Sequence, residues 1–158
     1  MNIRLTDKKE CDMPSLDERR ALGQKIQEDL FGEYPPAVRG PAIDIISRDW
    51  AEFADETVFG FGWARGVISR RERSMVTCAA LAAQGMERQL VQHLKGALNL
   101  GITPEELIEV CMQLVFYAGW PKAQNALQML VEVLTARGEL DAVASRIAEA
   151  RKSLDGNG

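Results

Sequence analysis

Histidine and cysteine are scarce in this chain of 158 residues, which has one histidine and three cysteines. Cys11, Cys78 and Cys111 are far apart in the sequence, and no two of them form a Cys-x-x-Cys pair. Metal sites and disulfide frameworks need a tighter grouping of such residues, so the sequence favours neither. Cys78 and Cys111 fall on apolar faces of predicted helices, where a cysteine usually behaves as a small hydrophobic residue.

Long apolar runs and an excess of basic residues are missing as well. No stretch approaches the ~20 apolar residues that span a bilayer, and the N-terminal residues lack the apolar core of a signal peptide. The formal net charge is −4, and the short basic run at 70–73 contains Glu72. Nucleic-acid binding needs concentrated positive charge, so we expect a cytoplasmic protein that binds neither nucleic acid nor membrane.

The sequence does carry strong helical patterning. Segments 15–18, 69–72 and 103–106 each have the spacing of a capping box, in which the first and fourth residues satisfy each other's backbone donors. Apolar periodicity and glycine or proline breaks predict helices over 15–31, 41–57, 69–84, 87–101, 103–118, 121–137 and 139–154. Segment 58–63 alternates as a strand does, but its two glycines and the lack of a partner strand favour a turn.

The predicted architecture is therefore an all-α, single-domain bundle of six to seven helices. The length fits one domain. We expect residues 1–14 to be a flexible leader and residues 15–154 to form the helical domain.

His93 lies on the apolar face of the predicted helix 87–101, together with Leu90, Leu94, Ala97 and Leu98. Imidazole has the unperturbed pKa closest to neutrality, so a buried, unique histidine is a candidate for proton transfer. Position alone leaves a second interpretation open. A core histidine can simply be satisfied by a backbone carbonyl.

Five sequence segments, in order, resemble the carboxymuconolactone decarboxylase family. Arg73-Ser74 precedes a Val-Thr-Cys-Ala-Ala-Leu helix, and His93 begins a His-x-x-x-Ala-Leu-x-x-Gly pattern. Thr-x-Glu-Glu follows at 103–106 and Tyr-Ala-Gly-x-Pro at 117–121, while Phe59-Gly60 and Trp63 resemble an upstream aromatic-glycine segment. The resemblance covers about 56–135 closely and 15–55 loosely. It implies an alkylhydroperoxidase D-like fold, assembled as a homotrimer or homohexamer with sites near subunit interfaces.

The chain departs from the peroxidase branch of this family. Alkylhydroperoxidase-type members carry a Cys-x-x-Cys seven and four residues before the histidine, and those positions are Met86 and Gln89 here. Their glutamate, nineteen residues before the histidine, is Ser74 here. Without paired thiols, thiol–peroxide chemistry loses its nucleophile and its resolving partner. The resemblance therefore points to the decarboxylase branch.

The activity that this branch implies is the conversion of 4-carboxymuconolactone, or a similar small lactone acid, to an enol-lactone and carbon dioxide. No cofactor is implied, because the electrons of the departing carboxylate delocalise to the lactone carbonyl. The protein must stabilise that oxyanion, supply a proton, bind the remaining carboxylate and exclude water. One histidine without a tight carboxylate cluster is a poor ligand set, so no metal is expected.

The resemblance makes His93 the expected proton donor. Arg73 and Arg65 are candidates for binding a carboxylate, because a planar guanidinium matches its geometry. Further candidates for hydrogen bonding or lining the pocket are Ser74, Gln113, Tyr117, Trp63 and Trp120. For each of these residues an ordinary role stays open: a solvated arginine, a capping or packing serine, a packed aromatic ring. Glu106 and Glu109, beside Gln113, fit a solvated edge or a subunit contact.

Two other functions stay open from the sequence. A family relative could act on a different small substrate, as a lactone isomerase or a biosynthetic decarboxylase. A non-catalytic oligomeric binding protein is the third possibility. The three possible functions predict different consequences of losing His93. The lactone-acid decarboxylase would lose carbon dioxide release, the family relative would lose another activity, and the binding protein would change in stability alone.

Overall fold

The computed structural model describes residues 13–34, 36 and 45–155, and these residues are almost entirely helical. The seven α-helices of the described residues are α1 (Leu16–Phe31), α2 (Arg48–Phe53), α3 (Arg70–Gln84), α4 (Glu87–Asn99), α5 (Pro104–Ala118), α6 (Trp120–Arg137) and α7 (Leu140–Asp155). Between α2 and α3, Ala54–Trp63 forms a π-helix, π1, that continues α2 without a break. The all-α prediction is confirmed.

The predicted capping boxes set the starts of three helices. Ser15, Ser69 and Thr103 each accept a hydrogen bond from the backbone N–H three residues later, and the glutamate there accepts one from the capping residue's N–H. Each box thus satisfies two backbone donors that a helix start leaves free. Gly85 ends α3 in the left-handed conformation, with φ of 72°, which glycine adopts without steric cost.

The turn predicted at 58–63 is wrong. This segment belongs to π1, in which Asp55, Gly60 and Trp63 are buried. The helix predicted over 41–57 is found as α2 within the described residues, while its first four positions lie outside them. One of the glycines that favoured a turn instead allows close packing, because Gly60 leaves room for the backbone of α1.

The core has a large and a small part. The large part joins α3 to α7 around Leu94, Leu107, Leu130 and Leu134, each at most 2% exposed. Cys78 and Cys111 lie in it, as predicted for small hydrophobic residues. The small part joins α1 and π1 around Ile26, Leu30 and Trp63. It borders α4, the helix that carries His93.

Helix α1 and π1 touch backbone to backbone. A Cβ atom on Gly23 would lie 2.0 Å from the Asp55 carbonyl oxygen, and one on Gly60 would lie 2.0 Å from the Arg19 carbonyl oxygen. Arg20 reinforces the contact through its guanidinium, whose Nη2 lies 3.2 Å from Glu52 and 2.5 Å from Glu56. Only glycine permits this separation, so the sequence fixes how closely the two helices pack.

Not all large apolar residues are covered. Ile46, Trp50 and Phe53 are each at least 61% exposed, while Ala51 is buried. None of the helices formed by the described residues combines the length and the apolar character that crossing a membrane requires.

Replacing Gly23 by Ala should destabilise the fold. The new Cβ would meet backbone atoms of Asp55, which cannot rotate away, so we expect a loss of about 1–3 kcal/mol, the usual cost of overpacking. Chemical denaturation followed by circular dichroism measures the loss. Gly66→Ala is the control, because a Cβ there meets nothing within 4 Å. Equal stability of the two variants would contradict the tight contact.

Candidate active site around His93

Three aromatic side chains form a cluster with the imidazole of His93. The Trp63 ring stacks on it, with centroids 5.9 Å apart and planes inclined by 24°. The Phe31 ring meets it edge-on at 5.4 Å. Phe59 contacts both neighbours, at 6.1 Å from Phe31 and 6.0 Å from Trp63. His93 thus lies at an apolar junction of α1, π1 and α4.

These apolar surroundings change the acid–base behaviour of His93. Burial lowers the pKa of His93 from 6.5 to about 4, because desolvation penalises the charged imidazolium. The ring is therefore neutral at pH 7. Its Nδ1 atom is buried, and no described residue makes a hydrogen bond to it. A buried polar atom without a partner costs about 1–3 kcal/mol, unless a water molecule or a bound ligand meets it.

The local packing of α1 on α4 explains the position of Phe31. Leu30 fits against Gly96, where a Cβ would lie 2.8 Å from the Leu30 Cδ1 atom. Asn99 Nδ2 donates a 3.0 Å hydrogen bond to the Leu30 carbonyl oxygen. Both contacts bring the C-terminal end of α1 to α4, and Phe31 is the last residue of α1. The ring of Phe31 therefore reaches His93, three residues before Gly96.

Arg65 and Arg73, the predicted carboxylate ligands, lie next to each other. Arg73 Nη2 donates a 2.9 Å hydrogen bond to the Arg65 carbonyl oxygen, and Arg65 lies two residues after Trp63. The Arg65 guanidinium lies over the Phe61 ring, 5.8 Å from its centroid. Within the described ranges neither arginine is within ion-pair distance of a carboxylate, whereas Arg70 pairs with Asp29. The pair therefore keeps hydrogen-bond donors free for an anionic ligand.

Ser74 has no exposed surface and lies in the core beside the Cys78 thiol. Thr77 donates its hydroxyl hydrogen to the Arg73 carbonyl oxygen, within its own helix. Burial raises the pKa of Cys78 to about 12 and that of Cys111 to about 11, so both thiols stay protonated at neutral pH. The core thiols are therefore poor nucleophiles, in keeping with the missing Cys-x-x-Cys.

Gln113, Tyr117 and Trp120 lie away from the aromatic cluster. None of the ring contacts of His93 involves them, and Tyr117 and Trp120 are 81% and 66% exposed. Trp120 borders a small apolar groove between α5 and α6. Glu106 forms an ion pair with Arg71. A substrate role for the three polar and aromatic residues stays a prediction.

Phe31 was not predicted as part of this cluster. It is the last residue of α1, and nothing in its sequence neighbourhood indicates contact with a residue 62 positions later. Across the part of the chain that the structure describes, no three histidine, cysteine, aspartate or glutamate side chains are grouped so that they could hold a metal ion. The cluster is thus a single imidazole in an aromatic setting.

Comparison with known proteins shows the family of this chain. The model of the carboxymuconolactone decarboxylase family matches residues 48–132. The chain is 30% identical to 4-carboxymuconolactone decarboxylase of Acinetobacter baylyi, over 77% of its own length and 91% of the relative's. It is 28% identical to nitrosuccinic acid decarboxylase of Metarhizium robertsii, over 74% of its own length and 84% of the relative's. Both relatives are named for decarboxylation.

The protonation of His93 can be followed directly, because it is the only histidine. We expect its imidazole NMR signals to titrate near pH 4, against 6.5 after unfolding. Between pH 6.5 and pH 4 the unfolded chain therefore binds one more proton at His93 than the folded chain does. The free energy of unfolding is thus highest above pH 6.5 and falls as the pH drops toward 4. The loss is on the order of 3 kcal/mol. A His93→Gln variant should lack this part of the pH dependence, and titration near 6.5 in the folded protein would contradict the burial.

Proposed function

Because the chain belongs to the carboxymuconolactone decarboxylase family, we propose that it catalyses the cofactor-independent decarboxylation of 4-carboxymuconolactone or a closely similar lactone acid. The observation that carries the proposal is the neutral, partly buried imidazole of His93, whose buried Nδ1 has no hydrogen-bond partner among the described residues. A ring held this way can bind a ligand and transfer a proton to it. Both relatives are named decarboxylases, which supports a carboxy-lyase activity.

The chemistry needs one bond to break and one to form. The bond between the substrate ring carbon and its carboxylate breaks, carbon dioxide leaves, and the electron pair moves to the lactone oxygen. The resulting dienolate then takes a proton on carbon. An anionic substrate beside His93 favours the imidazolium form, so the ring takes up a proton from water on binding and passes it to the carbon. The net reaction consumes one proton and releases carbon dioxide.

The neighbouring arginines supply the charge that this sequence needs. Arg73 makes one hydrogen bond to the Arg65 backbone and has no carboxylate partner in the described residues. A bidentate contact between its guanidinium and the retained carboxylate would orient the substrate. The apolar rings of Trp63 and Phe31 exclude water from the departing carboxylate, which favours loss of charge there.

A second substrate class is supported by the Metarhizium relative, which is named for nitrosuccinic acid. A nitro group, like a lactone carbonyl, can hold the electron pair that decarboxylation releases. The same residues would then act on a nitro acid, with His93 again supplying the proton. The shared requirement is an electron-accepting group next to the carbon that loses its carboxylate.

We also propose that the chain assembles as a homotrimer or homohexamer through its uncovered apolar faces. Met112, Phe116, Tyr117 and Trp120 form one such surface at the end of α5 and the start of α6, each more than half exposed. Apolar patches of this kind usually mark interfaces. Assembly would cover this surface, and it could bring Gln113 and Tyr117 close to the His93 cluster of a neighbouring subunit.

Carbon dioxide release from 4-carboxymuconolactone and from nitrosuccinic acid tests the activity, with ultraviolet absorbance following the lactone. His93→Ala should lower kcat by about 10²–10⁴-fold, the usual contribution of a general acid or base. Gln89→Ala is the control, since Gln89 is exposed on the same helix. Conversion of the lactone without release of carbon dioxide would indicate an isomerase. If the wild-type protein converts neither substrate and His93→Ala changes only the stability, a non-catalytic binding role replaces the proposal.

Assembly is tested by light scattering after size-exclusion chromatography. Phe116→Glu places a charge in the exposed apolar surface, and we expect it to reduce the wild-type oligomer to smaller species. Gln128→Glu adds the same side chain at an exposed position of α6 and should leave the mass unchanged. A monomeric wild-type protein would contradict the proposed assembly.

A further inference from the structure

Asp55 is a buried acid that the proposed chemistry does not use. It is 1% exposed and lies in π1, one helical turn before Phe59 and two before Trp63. Its Oδ1 accepts a 2.7 Å hydrogen bond from Gln27 Nε2, and its Oδ2 accepts a 3.3 Å bond from Gln24 Nε2. The Tyr34 hydroxyl also donates to Oδ2. All three donors belong to α1 or to the residues directly after it.

These hydrogen bonds act at the point where α1 and π1 are closest. Gly23 lies against the Asp55 backbone, and Gly60 lies against both the Arg19 and the Asp55 carbonyl oxygens. Asp55 thus contributes its backbone to the contact between α1 and π1, and its carboxylate accepts the hydrogen bonds that hold this contact. Because a buried acid is costly unless it is hydrogen-bonded, these donors fix its position within narrow limits.

The two helices joined in this way carry the rings on either side of His93. Helix α1 ends at Phe31, which meets the imidazole edge-on, and π1 ends at Trp63, which stacks on it. Phe59 lies between these two rings and contacts both. Any movement of π1 relative to α1 would therefore change the spacing of the rings around the imidazole.

We infer that Asp55 is a positioning residue for His93. Its hydrogen bonds to Gln24, Gln27 and Tyr34 hold π1 on α1 and so keep Trp63 and Phe31 against the imidazole. The inference rests on the proposed function in giving His93 a catalytic role, but the geometry that it describes can be tested without any substrate.

The readout is the protonation of His93, which gives a single set of imidazole NMR signals because no other histidine is present. Burial is the cause of its lowered pKa, and no charged side chain of the described residues adds to it. Asp55→Asn keeps the volume but exchanges a hydrogen-bond acceptor for a donor. Loosened packing should admit water and raise the pKa of His93 by about one unit.

Two further variants separate positioning from general loss of stability. Gly60→Ala disturbs the same contact without changing any charge, since its Cβ would lie 2.0 Å from the Arg19 carbonyl oxygen. Gly62→Ala is its control, because its nearest contact, at 3.5 Å, is ordinary. Tyr34→Phe removes the hydroxyl that donates to the Asp55 carboxylate, and it replaces Asp55→Asn as the test if that variant does not fold. Asp49→Asn controls for loss of an exposed acid.

We expect the pKa of His93 to be raised in Gly60→Ala and in Asp55→Asn, or in Tyr34→Phe if Asp55→Asn does not fold. In the controls Gly62→Ala and Asp49→Asn it should equal the wild-type value. In the active enzyme, Asp55→Asn should also lower kcat by about tenfold with little change in KM, because orientation rather than binding is impaired. Lower melting temperatures with an unchanged pKa of His93 would show a merely structural role and overturn the inference. An inactive wild type would overturn the proposed function only, since the NMR comparison would still stand.

Discussion

The contact between the backbones of α1 and π1 determines the shape of the site. Gly23 and Gly60 allow the two helices to approach more closely than any pair of Cβ-bearing residues would. That separation brings the last residue of each helix, Phe31 and Trp63, to the same imidazole. The contact of Leu30 with Gly96 then holds α1 on α4 as well. Three elements from separate parts of the sequence thus meet at one ring because glycines leave space for them.

The setting of His93 is unfavourable for folding and useful for chemistry. The buried Nδ1 of the partly buried imidazole has no partner among the described residues, which costs stability, and such departures from good packing are typical of functional sites. The apolar rings keep the imidazole neutral at pH 7. In the proposed reaction, an anionic substrate beside the ring would stabilise the imidazolium, so that proton uptake would accompany substrate binding. The two core thiols, in contrast, are protonated and buried, and they fit a packing role.

Local rules account for most of the fold. The capping boxes at Ser15, Ser69 and Thr103 mark where α1, α3 and α5 begin, and the apolar period of 87–101 places His93 on an inward face. The π-helix could not be predicted in this way. Its hydrogen bonds span five residues, so its apolar pattern matches neither the 3.6-residue helix nor the two-residue strand. Glycines in such a pattern indicate a turn unless the partner backbone is known.

The site itself was only partly predictable for a related reason. Motif segments indicated Trp63, Arg65, Arg73 and His93; the structure stacks Trp63 on His93 and joins Arg73 to Arg65 by a hydrogen bond. Phe31 and Asp55 act through contacts between distant segments, which no local pattern encodes.

The π-helix also restricts which lengths this part of the chain can have. Adding or deleting one residue between Asp55 and Trp63 would rotate the indole by roughly a quarter of a turn, away from the imidazole, while leaving Asp55 fixed on α1. Residues 66–68, which are exposed and non-helical and precede the capping residue Ser69, have no such restriction. Length variation among relatives that keep this site should therefore collect after the indole and be absent before it.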